Sequence, residues 1–470
     1  MIAFVGLIIV VIGLIHLYLW KRLVKDPLPP GRLRRAGAVA AILLAVLVPT
    51  TLIGVRSGHV KWLAWPGYLW VALMFYLFLT LAALEIPRLA ICLWNRATSR
   101  HTRTAAAAVA PASRGQGDAL DGSAPGGSAR AADNAVLTSD AAAMTGGGAG
   151  LGTGADPGDG AGLGTGAGLA TGAGLGTGAG LGTGADAAER ADGPAQTAVD
   201  RRLLLSRGAA IFAGLTAAGI TGYGVKTALG PPQLDRVQLP MAKLPRAMDG
   251  TRLAVVSDIH LGPLTGTHHA ARIVGLINSV NADIVCIVGD LVDGSVAELG
   301  RFAAPLAGIE SRRGAYFVTG NHEYYSGYQQ WVAEVARLGV RPLRNERLEV
   351  DGLDLAGVND LGGADFGDGP DLRRALGDRD TTRPVVLMAH QPVVAHDAAP
   401  FGVDLQVSGH THGGQMVPFN LVVGLEQPVV SGFGKVDGVP VYVTNGAGFW
   451  GPPVRVGAPP QVTVIELRTL

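Results

Sequence analysis

The chain has 470 residues, which is more than one ordinary domain needs. Only 16% of its residues are charged and 69 are glycine, a composition typical of membrane segments combined with low-complexity sequence and unlike that of a purely soluble protein. The formal net charge of +1 provides no basic excess, so we expect no nucleic-acid binding. The two cysteines, Cys92 and Cys286, argue against a disulfide framework and against a cysteine-based zinc site.

Three long apolar runs at the start of the chain predict an all-α transmembrane region over residues 1–100. The runs are residues 1–20, 36–55 and 62–84. Each has the roughly 20 residues that are needed to cross a hydrocarbon core about 30 Å thick.

A fourth and weaker apolar run, residues 208–225, lies in a predicted helix over residues 201–230. Its glycine and alanine content leaves three interpretations open: a fourth span, a translocation signal or a buried helix. The pair Arg201-Arg202 before the run resembles a twin-arginine export signal. The same arginines are at least as well explained as the cytoplasmic flank of a span.

Basic residues alternate between the two ends of successive runs. Six lie between the first and second runs, only Arg56 and Lys61 lie between the second and third, and basic clusters return after the third run and before the fourth. The positive-inside rule then predicts a multi-pass protein of the cell membrane, with its C-terminal domain on the extracytoplasmic side. A cytoplasmic domain remains the alternative if the fourth run does not span.

Residues 101–200 cannot build a hydrophobic core. The hexad Gly-Ala-Gly-Leu-Gly-Thr occurs at residues 148–153, 160–165, 172–177 and 178–183. One leucine per repeat buries too little apolar surface to offset the ordering entropy of so much glycine. We predict a disordered Gly/Ala-rich linker that acts as a flexible tether.

The last part of the chain, residues 235–470, predicts an α/β domain. An extended lead-in is marked by prolines just before the domain, Pro231 and Pro232, and at its start, Pro240 and Pro245. Apolar runs then predict strands at 253–257, 284–289, 315–319, 353–358, 385–389, 405–408, 439–444 and 462–467, and helical spacing is present at 270–280 and 328–338. Strands that first alternate with helices and then follow one another closely favour an α/β sandwich.

Five short polar motifs follow predicted strands of this domain. They are Asp258-Ile259-His260, Gly289-Asp290-Leu291-Val292-Asp293, Gly320-Asn321-His322-Glu323, Ala389-His390-Gln391 and Gly409-His410-Thr411-His412-Gly413-Gly414. Ligand sites of open α/β sheets lie at the carboxyl ends of the strands, so we expect these side chains to converge. Oxygen and nitrogen ligands without thiolate suit manganese, iron or zinc. Two such ions can activate a water and bind both the attacking and the leaving oxygen of a phosphoryl displacement.

These motifs, in this order, resemble those of the calcineurin-like metallophosphoesterases, and in particular the membrane-associated bacterial phosphodiesterases. The resemblance covers about half of the chain and implies a calcineurin-like β-sandwich flanked by helices. It implies that Asp258, His260 and His412 hold one divalent ion, that Asn321, His390 and His410 hold the other, and that Asp290 bridges the two. By the same resemblance His322 is the catalytic acid, which protonates the leaving oxygen after attack by a metal-bridged hydroxide.

Other residues of the motifs and their neighbours have supporting roles in this hypothesis. Asp293 and Glu323 are expected behind the ligands, and His268 and His269 are candidates for the substrate cleft. A larger set of aromatic residues could pack normally or form an apolar substrate wall or membrane-facing rim: Tyr324, Tyr325, Phe433, Phe449 and Trp450.

The sequence therefore predicts a membrane-anchored metal-dependent phosphoric ester hydrolase, a phosphodiesterase or a phosphatase. Its expected partners are the membrane and a phosphoester substrate, for which a lipid-linked or cell-envelope compound is one class. The alternative is a noncatalytic metal-binding sensor or scaffold module on a membrane anchor.

Overall fold

The structure is a computed structural model that describes residues 2–56, 58–108 and 195–470. The chain divides into two units, one formed by Met1–Ala97 and Gly193–Leu470 and the other by Thr98–Asp192. Most of the linker predicted at residues 101–200 lies outside the described residues.

The α-helices of the described ranges are of two kinds, long apolar helices and shorter helices of the C-terminal domain. They are α1 (Ile2–Trp20), α2 (Arg32–Arg56), α3 (Ala64–Ala108), α4 (Ala195–Leu229), α5 (Thr267–Ser279), α6 (Val296–Ala303), α7 (Asn321–Tyr325), α8 (Tyr328–Arg337), α9 (Leu372–Leu376), α10 (Ala395–Ala398) and α11 (Asn420–Val423). Within the ranges that the structure describes, three segments are long and apolar enough to cross a membrane: Arg32–Val55, Lys61–Ala90 and Arg201–Leu229. The first predicted span forms α1.

Twelve strands of the described ranges form two six-stranded sheets. They are β1 (Gln233–Met241), β2 (Thr251–Val256), β3 (Ile284–Val288), β4 (Ala315–Val318), β5 (Arg341–Pro342), β6 (Glu346–Val350), β7 (Leu353–Gly357), β8 (Val385–Met388), β9 (Leu405–Ser408), β10 (Gly432–Val436), β11 (Val439–Val443) and β12 (Gln461–Thr469). The strand orders are β1-β12-β2-β3-β4-β5 and β10-β11-β9-β8-β7-β6. All eight predicted strands are present.

The two sheets pack face to face, and helices cover their outer faces. Strand β3 shows how the sequence produces these layers, because side chains alternate across a strand. Ile284, Cys286 and Val288 lie in the core between the sheets, together with residues of β7, β8 and β9. Val285 and Ile287 point to the other face, where they pack with α5, α6 and α8. The α/β sandwich is therefore confirmed, and Cys286 is a small apolar core residue.

Four strands were not predicted from the sequence: β1, β5, β6 and β10. The proline-rich lead-in is strand β1, which pairs in parallel with β12 at the edge of its sheet. An edge strand tolerates Pro240 because the missing N–H need not face a partner strand. Strands β6 and β10 have charged or glycine residues that hide the apolar alternation, since one face of each is half-exposed or exposed.

The long apolar helices pack against the C-terminal domain. Val454 is fully buried in a cluster of residues from α1, α2, α3 and α4, and Met416 and Val456 pack against the same cluster. The backbone N–H of Arg455 donates to the carbonyl of Gly224 in α4, at 2.9 Å. Lys61 forms a 2.6 Å ion pair with Glu298 at the start of α6.

Gly224 is the residue that allows this close approach of α4. A methyl group at Gly224 would lie 2.5 Å from Val454 Cγ1 and 2.9 Å from Val456 Cγ2, whereas one at Gly222 would have no neighbour within 4 Å. We expect Gly224→Leu to destabilise the protein by about 1–3 kcal/mol through overpacking. Gly222→Leu makes the same change in hydrophobicity and helix propensity and is the matched control. Thermal unfolding of the two variants in detergent, followed by tryptophan fluorescence, measures the difference, and equal melting temperatures would contradict this packing.

Candidate dinuclear metal site

The five motifs lie where strands of the two sheets end. The strands β2, β3 and β4 end two or three residues before Asp258, Asp290 and Asn321, while β8 and β9 of the second sheet end shortly before His390 and His410. The carboxyl ends of both sheets thus contribute to one site.

The backbone is left-handed at five of the predicted ligands. Their φ angles are 52° at Asp258, 48° at His260, 52° at Asp290, 69° at His410 and 52° at His412. This conformation costs about 1–3 kcal/mol for a residue with a side chain, and such residues cluster at functional sites. The turns direct side chains from separate strands towards each other.

The first predicted ligand group is assembled at the junction of the sheets. The ligand atoms of Asp258, His260 and His412 lie within 4.8 Å of one another. The two Nε2 atoms of His260 and His412 are 3.0 Å apart, and Asp258 Oδ1 is 3.3 Å from His412 Nε2. Asp258 Oδ1 is buried and has no hydrogen-bond partner. A cation between these atoms would satisfy that oxygen.

The second predicted group is assembled beside the first. The ligand atoms of Asp290, His390 and His410 also lie within 4.8 Å of one another. His390 Nδ1 donates to the carbonyl of Val288 at 2.7 Å, so Nε2 is the ring nitrogen that faces the site. That Nε2 is 3.2 Å from Asp290 Oδ2, and it is buried without hydrogen-bond geometry to any partner.

Asn321 completes the predicted set from the first turn of α7. Its Oδ1 is buried without a hydrogen-bond partner, as an amide oxygen kept for a cation would be. The backbone N–H of the next residue, His322, donates to Asp290 Oδ1 at 2.9 Å and ties α7 to the second group. Buried polar atoms are nearly always hydrogen-bonded, so three unpartnered atoms within one predicted ligand set fit two divalent cations.

Glycines allow the motifs to approach this closely. A methyl group at Gly409 would collide with the side chains of Ser257 and Asp258, and one at Gly320 would collide with Asp290. The glycines of two motifs are therefore required by contact with the ligands of two others.

Asp293 orients two imidazole rings. Its Oδ1 accepts hydrogen bonds from His260 Nδ1 at 2.9 Å and from His322 Nδ1 at 2.6 Å. Both rings must then carry a proton on Nδ1, which directs the Nε2 atom of each towards the site. This shared acceptor explains why His260, Asp293 and His322 form a third compact group.

Glu323 holds three backbone N–H groups around the site. Its carboxylate accepts from Gly320 at 2.6 Å, from Leu291 at 2.8 Å and from Asp290 at 2.9 Å. Asp293 and Glu323 therefore lie behind the predicted ligands, as expected from the sequence.

Burial and neighbouring charges shift the pKa values of three predicted ligands, His410, His412 and Asp290. Burial and the neighbouring cations Arg455 and His390 lower the pKa values of His412 and His410, that of His410 to about 3. Both rings are therefore neutral near pH 7, the form that binds metals. Burial alone would raise the pKa of Asp290, but His390 and His322 outweigh it and hold the pKa well below its usual value.

His322 has the opposite shift. Burial would lower its pKa, but the carboxylates of Asp290 and Asp293 outweigh burial and raise the pKa to about 9. The ring is thus protonated near neutral pH. Aromatic side chains of Tyr325 and Trp450 flank it, with ring centroids 5.6 Å and 6.1 Å from the imidazole.

The other residues proposed from the sequence are partly exposed and partly buried. Tyr325, Phe433 and Trp450 are exposed, while Tyr324 and Phe449 are buried. His269 is buried, and its Nε2 is 3.2 Å from the carbonyl of Ile259. It therefore packs against the backbone of the first motif and does not line a cleft. His268 is exposed on α5.

Arg455 is the residue of the site that the sequence analysis missed. Its fully buried guanidinium donates to the carbonyls of His412, Asn445 and Gly448 and, at 3.1 Å, to His412 Nδ1. With Nδ1 accepting, the proton of His412 lies on Nε2 and faces His260 Nε2, and a cation bound there would replace that proton. An arginine among valines and prolines, in Pro453-Val454-Arg455-Val456, was the signal available in the sequence.

Carboxylate, imidazole and amide groups thus lie together at the strand ends of a two-sheet sandwich, as the motif resemblance to the metallophosphoesterases implies. Residues 251–414 match the family model of the calcineurin-like phosphoesterases. A transmembrane protein with metallophosphoesterase domain from Danio rerio is 37% identical over 272 residues, which are 55% of this chain and 62% of that protein.

Two bacterial relatives are similar over the same part of the chain. An uncharacterized metallophosphoesterase from Helicobacter pylori is 34% identical over 254 residues, 53% of this chain and 68% of that protein. One from Aquifex aeolicus is 31% identical over 246 residues, 50% of this chain and 92% of that protein. The chain belongs to the calcineurin-like phosphoesterase family. It spans about three fifths of the length of the Danio rerio protein and of a Bos taurus protein of the same name, at 62% and 59%.

Asp293 provides a test of how the ligands are oriented. We expect Asp293→Asn to lower the affinity for Mn²⁺ by about 10- to 100-fold, because the anionic acceptor that orients His260 is lost. Asp351→Asn removes an exposed carboxylate that pairs with Arg313 and serves as the control. Equilibrium dialysis of the purified full chain against Mn²⁺ measures the affinities. Unchanged affinity in Asp293→Asn would show that His260 does not depend on this hydrogen bond.

Proposed function

We propose that this protein is a membrane-anchored dinuclear-metal phosphoesterase that hydrolyses phosphodiesters. Asp258, His260 and His412 would hold one cation, Asn321, His390 and His410 the other, and Asp290 both. The observation that supports this most directly is that six of these seven side chains form two adjacent groups with buried, unpartnered ligand atoms. Manganese, iron and zinc all suit this donor set.

When bound, the two cations would supply an activated water and positive charge for the phosphoryl group. The protein's own contribution to proton transfer is His322. Its Nδ1 is held by Asp293, and its Nε2 lies 4.0 Å from Asp290 Oδ2, on the side of the predicted ligands. A ring protonated near neutral pH and held in this way can donate the Nε2 proton to the leaving oxygen, as a general acid does.

One feature supports a diester in preference to a monoester. Tyr325 and Trp450 are exposed and stand beside His322, where they provide an apolar surface for the second substituent of the phosphate. The substrate that we propose carries a single negative charge at phosphorus, and a lipid-linked or cell-envelope compound belongs to this class.

The membrane topology that we propose has four spans, α1 to α4, with the catalytic domain on the extracytoplasmic side. The basic residues between α1 and α2 and those before the apolar part of α4 support it by the positive-inside rule. The domain contacts Lys61, three residues before the start of α3, and Gly224, near the C-terminal end of α4. In the proposed order these two positions would be on the same, extracytoplasmic side.

Hydrolysis and metal content together test the proposed roles. The purified full chain, reconstituted with Mn²⁺, should hydrolyse bis-p-nitrophenyl phosphate. His322→Ala should lose about 10²- to 10⁴-fold in rate with its metal content unchanged, because only the general acid is removed. Asp290→Asn should lose both metal and activity, because this carboxylate is shared by both ions.

His396→Ala, an exposed histidine outside the motifs that pairs with Asp437, is the control and should behave like the parent chain. Wild-type activity in His322→Ala would overturn its role as the acid. Metal binding without hydrolysis of any phosphoester would overturn the proposed enzyme in favour of a noncatalytic metal-binding module.

Protease accessibility tests the sidedness of the domain. In spheroplasts with intact membranes, added protease should digest the domain of residues 235–470, while inverted vesicles should protect it. A C-terminal epitope tag reports both results on one blot, and a cytoplasmic protein serves as the control for membrane integrity. Protection in spheroplasts together with digestion in inverted vesicles would place the domain in the cytoplasm.

A further inference from the structure

A short apolar segment of the catalytic domain lies directly after the last metal motif. Residues 417–425 contain α11 and five exposed apolar side chains: Val417, Phe419, Leu421, Val422 and Leu425. Leu421 is 70% exposed and Leu425 is 87% exposed. No charged residue occurs from Thr411 to Leu425, and Glu426 ends this uncharged run. A contiguous exposed apolar surface of this kind marks a binding or membrane surface.

The position of the segment against α3 indicates what covers it. The hydroxyl of Tyr76 in α3 donates to the carbonyl of Val417 at 3.3 Å. Tyr76 lies 12 residues after the start of α3 at Ala64, which corresponds to about 18 Å along the helix axis. It also lies in the middle of the apolar segment Lys61–Ala90, which is long enough to cross a membrane. The 417–425 segment is therefore beside the part of α3 that is surrounded by lipid if α3 spans.

The contact between this region and the spans is continuous. Met416, immediately before the segment, packs with Val454 and Val456 against the buried cluster of the long apolar helices. Gly451 faces the ring of Tyr68, about two turns closer to the start of α3 than the Val417 contact. The surface of the domain thus follows α3 from Lys61 past Tyr68 to Tyr76.

Much of the backbone of the segment is hydrogen-bonded internally, which favours burial in lipid. An N–H or C=O exposed to hydrocarbon without a partner costs several kcal/mol, so lipid-exposed backbone must be hydrogen-bonded internally. Here Leu421 donates to the carbonyl of Pro418 at 3.0 Å, Gly424 to Asn420 at 3.0 Å and Leu425 to Val422 at 3.1 Å. Pro418 itself has no N–H to satisfy.

The segment is also close to the candidate metal site. A methyl group at Gly414 would collide with Asn420, so α11 packs directly on the glycines of the last motif. Gln415 accepts a hydrogen bond from the backbone N–H of Trp450 at 3.0 Å, and the Trp450 ring stands beside His322. Met416 is four positions after His412 in the chain, a span of at most about 14 Å.

We propose that residues 417–425 insert into the lipid bilayer beside α3 and hold the opening of the metal site at the membrane surface. This inference rests on the proposed function in taking α3 as a span. It deepens the proposal by naming the substrate class: a site placed there meets the phosphodiesters of lipid head groups at the bilayer surface.

Fluorescence quenching in vesicles tests the insertion. Leu421→Cys and Leu425→Cys, in the full chain, are labelled with an NBD maleimide and reconstituted into phosphatidylcholine–phosphatidylglycerol vesicles. Leu470→Cys is the matched control, because Leu470 is 85% exposed and lies at the end of β12. The parent chain, labelled in parallel, provides the background from Cys92 and Cys286.

We expect nitroxides on the lipid acyl chains to quench the label at positions 421 and 425, and aqueous iodide to lose its quenching there. At position 470 iodide should quench and the nitroxide lipids should not. Iodide quenching at 421 and 425 as strong as at 470 would overturn the inference.

The proposed enzyme can fail separately from the insertion. Hydrolysis of bis-p-nitrophenyl phosphate by the same reconstituted chains needs the metal site and no lipid contact. Labels protected from iodide in chains that hydrolyse nothing would keep the insertion and reject the enzyme. Active chains with labels that iodide reaches would keep the enzyme and reject the insertion.

Discussion

The structure depends on one constraint: several charged and polar side chains are buried at the junction of two sheets, where water cannot satisfy them. Asp258 Oδ1, Asn321 Oδ1 and His390 Nε2 have no hydrogen-bond partner, and isolated polar groups of this kind cost free energy when buried. Cations bound to these atoms would remove that cost. The left-handed turns at the strand ends are strained. They persist because several surrounding hydrogen bonds hold them in this conformation. Strained backbone and buried polar atoms without partners are both expected of a site that is preorganised to bind metal.

The same constraint explains the supporting residues. A ligand imidazole is useful only in one orientation, and Asp293 sets this orientation for His260 while it also holds His322. Glu323 gathers the N–H groups of two motifs. Arg455 attaches His412 to the segment that contacts α4, so one short stretch of chain touches both a predicted metal ligand and a predicted span. The position of the domain against the long helices and the geometry of the site are therefore coupled through residues 452–457.

Much of the fold was readable because its signals are local. A strand buried on both faces, such as β3, is a continuous apolar run, and a motif directly after it belongs at the edge of the sheet. Strands β1, β6 and β10 were missed for the opposite reason. Each is partly exposed and interrupted by proline, charge or glycine, so only its pairing with a neighbour defines it as a strand. Arg455 was missed because its partners are carbonyl groups, which leave no pattern in a sequence.

The sequence by itself determined the apolar runs, the repeat segment, eight of the twelve strands and the identity of the polar groups that follow them. Each of these is a property of neighbouring residues. The tertiary structure alone decided which imidazoles share Asp293, which buried atoms lack a partner, and that Val417 lies against the middle of α3. These are contacts between residues far apart in the chain, such as Tyr76 and Val417. No local pattern encodes them, since they arise only when the two sheets and the long helices pack together.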